Sequence, residues 1–167
     1  MDIRELCDAL ETMVAQHDQL IVLAERKREA LIGNDIDQLN EVVNKESRLV
    51  KMVADTENRR QKAVVILLSS VGLTPLSGYK LADLIRMITN AEDKLKLTKL
   101  AERLTGAIGR LKELGLINSR LTQQAIEFND FSLSLLTGAY DDQDYVYRKP
   151  TDNAQGKLNL KMFDSRA

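Results

Sequence analysis

Residues 97–135 read LTKLAERLTGAIGRLKELGLINSRLTQQAIEFNDFSLSL. Stepping by three and four from Leu97 meets Leu100, Leu104, Ala107, Leu111, Leu114, Asn118, Leu121, Ala125, Phe128, Ser132 and Leu135. Only Asn118 and Ser132 on that stripe are polar. A three-four repeat held over so many turns is a long helix with one apolar seam, which needs other helices to cover it. Gly106, Gly109 and Gly115 each cost such a helix about 1 kcal/mol relative to Ala. They mark either a bend or a place where a neighbouring helix comes close. Asn118 has two readings as well: a polar residue in the seam that sets register, or a solvent-facing residue at the bundle end.

Working outward, a second stripe of the same kind opens the chain. Ile3, Leu6, Leu10, Met13, His17, Leu20, Ala24, Lys27 and Leu31 follow one another by threes and fours, with no Pro or Gly between them. Gly33 supplies a stop. Asp35, with Gln38 three residues on, has capping-box spacing, and Asp37 adds charge at the positive helix end. A second helix is predicted from Ile36 to Ser69, through Leu39, Val42, Val43, Leu49, Val53, Val64 and Leu67. The short connection folds these two helices into an antiparallel hairpin. Ser70 to Gly78 collects turn formers and Pro75, and reads as a loop. A short helix follows at Leu81–Ile88, and Thr89 with Glu92 marks the next break and restart. The fold class is all-α: an elongated antiparallel helical bundle or coiled-coil hairpin of long helices.

Beyond Gly138 the composition changes. From Ala139 to Lys157 there is no Leu, Ile, Met or Phe, too little aliphatic surface to offset the entropy of ordering. The chain therefore divides into a helical domain, 1–138, and a flexible tail, 139–167, whose end carries a short apolar island at Leu158, Leu160, Met162 and Phe163.

Composition removes several function classes. The 167 residues carry 24 Lys+Arg against 25 Asp+Glu, a balance that argues against a nucleic-acid binder. The basic runs Arg26-Lys27-Arg28 and Arg59-Arg60-Gln61-Lys62 have acidic neighbours and no aromatic residue for base stacking, so they read as solvated helix faces. A single His and a single Cys cannot build a thiolate metal cage or the paired Glu-x-x-His motifs of a di-iron bundle. His17 and Cys7 read as structural, and no phosphate-binding glycine loop is present. Neither enzyme, cofactor nor metal is expected. The charged start and the short longest apolar run, Ala63–Leu68, leave no signal peptide and no membrane-spanning segment, and the lone Cys fits a reducing cytoplasm.

The aromatic residues are placed unevenly. Phe128, Phe131, Tyr140, Tyr145, Tyr147 and Phe163 all lie near the carboxyl end, and only Tyr79 precedes them. The last helix also gains off-stripe apolar residues after Leu114: Leu116, Ile117, Ile126, Phe131, Leu133 and Leu136. The apolar face therefore widens. Either the widened part packs against the short third helix, or it is a groove for a partner helix, with Ile117, Leu121, Phe128, Phe131, Leu135 and Leu136 as the binding residues.

Two stretches carry a family resemblance. The first runs from Glu29-Ala30-Leu31 through Asn34-Asp35, Leu39 and Glu46 to Glu57 and Arg59-Arg60. The second is Leu116-Ile117-Asn118-Ser119-Arg120-Leu121 with Ala125, Phe128 and Leu135-Leu136, and the ending Phe163-Asp164-Ser165-Arg166-Ala167 matches that of Gram-positive members. In order and spacing the chain resembles the flagellar export chaperones of the FlgN family. The resemblance implies a cytosolic chaperone of type III export. It would bind hook-associated proteins of the FlgK and FlgL type, prevent their premature assembly and deliver them to the export gate. A family tail tyrosine that meets the gate points to Tyr140, Tyr145 and Tyr147, beside the island at Leu158, Leu160 and Phe163. The rival reading is a structural coiled-coil module that only oligomerises, as a homodimer for example, or serves as an adaptor.

Overall fold

The structure, a computed structural model, describes residues 2–70, 72–73 and 80–138. The tail and most of the 70–78 loop lie outside the described residues. Four helices account for the rest: α1 (Arg4–Gly33), α2 (Ile36–Ser70), α3 (Leu81–Met87) and α4 (Ala91–Leu136), with no strand among the described residues. The all-α helical bundle read from the periodicity is the fold. Residues Met1–Asp130 form one compact unit, described first; a second begins at Phe131.

α1 is the central element of the first unit. Its seam residues Leu6, Leu10, Met13, His17, Leu20 and Ala24 are buried as the periodicity requires. Cys7, Ala9, Val14, Gln16 and Ala30 are buried too, because α1 packs on two sides and so buries more than one stripe. On one side lies α2, running antiparallel. Gln16 Nε2 donates to Thr56 Oγ1 at 3.0 Å, and nearer the connection Lys27 Nζ meets Glu46 Oε2 at 2.7 Å. As numbers rise along α1, those of its partners on α2 fall.

The connection works differently from its sequence reading. Gly33 is still helical, and the stop belongs to Asn34, which sits in the left-handed region at φ 52°. Asp35 N–H then donates back to the Ala30 carbonyl at 2.9 Å, closing the turn in the manner of a Schellman motif. Asn tolerates that conformation because its short polar side chain can bond locally. Asp35 Oδ1 accepts from the Gln38 N–H at 2.9 Å, the expected cap of α2. At the start of α4 the cap is Asn90 and not Thr89: its Oδ1 accepts from Glu92 and Asp93 at 2.8 and 3.2 Å. Val43, placed on the seam of α2 by spacing, is exposed, while Thr56 and Ala63 are buried instead.

α1 and α4 run parallel. Glu11 pairs with Lys96, Asp18 with Arg103 and Glu25 with Arg110, three rungs that keep one 85-residue offset and recur at heptad spacing. These side chains are a third or more exposed, so each rung contributes little stability, at most about 1 kcal/mol, and serves mainly to set register. The main core lies near the amino ends of α1 and α4. Ile3, Leu6, Cys7, Leu10, Met13 and Val14 pack there with Ala63, Leu67, Ile88, Leu97, Leu100 and Leu104, and Leu81 and Ile85 of α3 lie against them.

Candidate partner-binding surface

The seam of α4 keeps its sequence pattern from end to end, but its cover does not last. Leu97, Leu100, Leu104, Ala107, Leu114 and Asn118 are buried. Leu121 and Ala125 are half-buried. Phe128, on the same stripe, is 68% exposed, and Leu135 is 58% exposed. Two physical causes combine. α1 ends at Gly33; continuing its offsets to α4 past that point brings it to its end between Asn118 and Glu127. A strict three-four repeat also drifts by about 20° per heptad around a straight helix, and only a partner helix holds the supercoil that corrects it.

Asn118 marks the last buried position. It is 5% exposed, and its Nδ2 donates to the Ala24 carbonyl at 2.8 Å. Of the two readings of Asn118, the structure selects the seam. Its bond to a backbone carbonyl of α1 has one geometry, which a leucine would not impose. The glycines, in contrast, are not sites of close approach: a Cβ at Gly106, Gly109 or Gly115 would meet nothing within 4 Å, and α4 runs unbroken across all three.

Past Asn118 the helix is apolar on opposed faces. With 3.6 residues per turn, Ile126 and Leu133 point away from Phe128 and Leu135. All four are exposed. Within the first unit the third helix is not packed on Ile117 and Phe128, since α3 lies against the core near the amino ends of α1 and α4. The candidate residues thus divide: Ile117 and Phe128 in the first unit are exposed, Leu121 is half-buried. In the second unit, described by itself, Phe131, Leu135 and Leu136 are exposed, Leu136 to 83%. Ile126 and Leu133 belong beside them, and their off-stripe position is the signal that singles them out. The tail candidates Tyr140, Tyr145, Tyr147, Leu158, Leu160 and Phe163 lie outside the described residues.

The remaining reactive groups are locked into structure. His17 is buried, with Nδ1 2.7 Å from the Met13 carbonyl. Cys7 is 1% exposed, and burial pushes its thiol pKa up, which suppresses the reactive thiolate. Among the described residues no cluster of three His, Cys, Asp or Glu side chains could hold a metal, and no helix is long and apolar enough to cross a membrane.

Comparison with known proteins fits this arrangement. The chain is 27% identical to the uncharacterized protein YvyG of Bacillus subtilis (strain 168), over the whole length of both. No solved structure matches it. The sequence model of the FlgN protein family matches residues 1–153, spanning every helix of the fold. The chain therefore belongs to the FlgN family of flagellar export chaperones.

Proposed function

We propose that this chaperone binds hook-associated proteins of the hook–filament junction, of the FlgK and FlgL type, in the cytoplasm. It shields their assembly-prone terminal helices and hands them to the export gate. The observation that carries the reading is the far end of α4, helical to Leu136 and apolar on opposed faces. Ile117, Phe128, Phe131, Leu135 and Leu136, with Leu121 at the covered edge, are the residues assigned to the partner helix. Amphipathic helices recognise such surfaces through apolar anchors at helical spacing. The work is binding and release, without bond-making chemistry, cofactor or metal. In the tail, Tyr140, Tyr145 and Tyr147, with Leu158, Leu160 and Phe163, are assigned to the export gate.

Titration calorimetry with a purified hook-associated protein tests the reading. A saturable complex that is weakened when Leu135 is truncated is the expected result. A chain that forms only a stable homodimer through α4, and binds no hook-associated protein, would instead be a coiled-coil oligomerisation module. Tyr147→Ala should leave the primary complex unchanged and reduce secretion of the hook-associated protein from cells. Equal loss of primary binding in Tyr147→Ala and Leu135→Ala would end the division between helix and tail.

A further inference from the structure

A second surface lies on the α1–α2 hairpin, in residues that the helix-end site does not use. Gln19, Val22, Leu23 and Arg26 of α1 and Lys45, Arg48, Leu49 and Met52 of α2 line a groove of about 420 Å³. Its floor is apolar: Leu49 is buried and Leu23 half-buried, while Val22 and Met52 stand exposed on either side. The charged residues in its lining are all basic, with no Asp or Glu among them. Two other grooves of the bundle are built differently. The one beside Asn118 is crossed by the Lys27–Glu46 pair, and the one beside Ala107 contains both Asp18 and Glu25 against Arg103 and Arg110.

The basic run Arg26-Lys27-Arg28 is therefore split by the fold. Lys27 turns to Glu46 and becomes part of the hairpin, whereas Arg26 rims the groove. Arg26 and Arg48 form no ion pair among the described residues, and Lys45 is paired along its own helix with Glu41. Two exposed guanidiniums on opposite walls of an apolar trough are suited to carboxylates, which they bind through paired, charge-assisted hydrogen bonds.

We infer that this groove docks an acidic amphipathic segment of a partner protein, about two helical turns long. Its apolar residues lie on Val22, Leu23, Leu49 and Met52, and its carboxylates face Arg26 and Arg48. The groove spans Gln19–Arg26 on one helix and Lys45–Met52 on the other, which sets that length. A nucleic acid fits less well. The floor has no aromatic residue on which a base would stack, and aliphatic walls suit leucine-like side chains. Both walls belong to the hairpin, so this surface and the far end of α4 can be altered separately.

The test uses the full chain and a fluorescent synthetic helical peptide with leucines at i, i+4 and i+7 flanked by glutamates. The same peptide with glutamine for glutamate, and a uridine oligomer, complete the set. The glutamate peptide should bind at least tenfold more tightly than the glutamine peptide, and the difference should shrink in concentrated salt, where screening shortens to a few ångström. Arg26→Glu with Arg48→Glu should lower its affinity at least tenfold without moving the melting curve, since both side chains are exposed. Arg26→Gln with Arg48→Gln should give a smaller loss in the same direction, and Leu135→Ala should leave the peptide's affinity unchanged. No binding of the glutamate peptide, equal binding of the two peptides, or indifference to the arginine variants would overturn the inference. So would a uridine oligomer that binds more tightly than the peptide.

Discussion

Leu104 and Leu135 occupy the same stripe of the same helix, yet one is 8% and the other 58% exposed. Their side chains are identical and their spacing pattern is continuous. The difference lies in what stands opposite. Leu104 belongs to a core shared by α1, α2 and α3, held in register by the ion-pair ladder. Leu135 belongs to the second unit and is exposed there. One apolar stripe is thus buried in the fold at one end and exposed at the other. Periodicity specifies a helix that must be covered somewhere; it does not say by which chain.

The largest effect expected from this contrast is on stability. Leu104→Ala should lower the unfolding free energy by about 2–5 kcal/mol, the usual cost of truncating a buried leucine, as measured by denaturant titration. A loss below about 1 kcal/mol would mean that the covered half is not a packed core. A gain of about 1 kcal/mol is expected from Gly109→Ala in the same half, because the position is helical and open space surrounds it. A destabilised Gly109→Ala protein would reveal a close neighbour on that face. Smallest is the ladder: Arg103→Ala should cost less than about 1 kcal/mol, and less still at high salt. A larger cost would make the rung at Asp18 part of the folding energy and not only of the register.

Much of this arrangement was legible in the residues. The helices, their hairpin and the seam of α1 follow from three-four spacing, while the widening after Leu114 left packing on the third helix and a partner groove as alternatives. The details that escaped are those where a local signal has two users. Gly33 looked like the stop, but the adjacent Asn34 accepts the left-handed conformation and takes the role. Thr89 had the capping spacing, but Asn90 is the residue whose side chain reaches the free N–H groups. Val43 fits the stripe of α2 and is nevertheless exposed. Near the amino end of α1, Cys7 and Val14 are buried because α4 returns alongside it, a long-range fact that no local window contains. Arg26 and Lys27 are neighbours in sequence with opposite fates, since adjacent helix positions face different partners.

The most direct measurement is a side-by-side comparison of Leu104→Ala and Leu135→Ala, with melting and hook-associated-protein binding recorded on each protein. Leu135→Ala should melt close to the parent and lose about tenfold in affinity, or roughly 1.4 kcal/mol. Leu104→Ala should show the reverse: a clear loss of stability, and binding retained below its melting transition. If Leu135→Ala instead destabilised the chain as much as Leu104→Ala while binding with parental affinity, the far end of α4 would be core. The division of one stripe between folding and recognition would then be wrong.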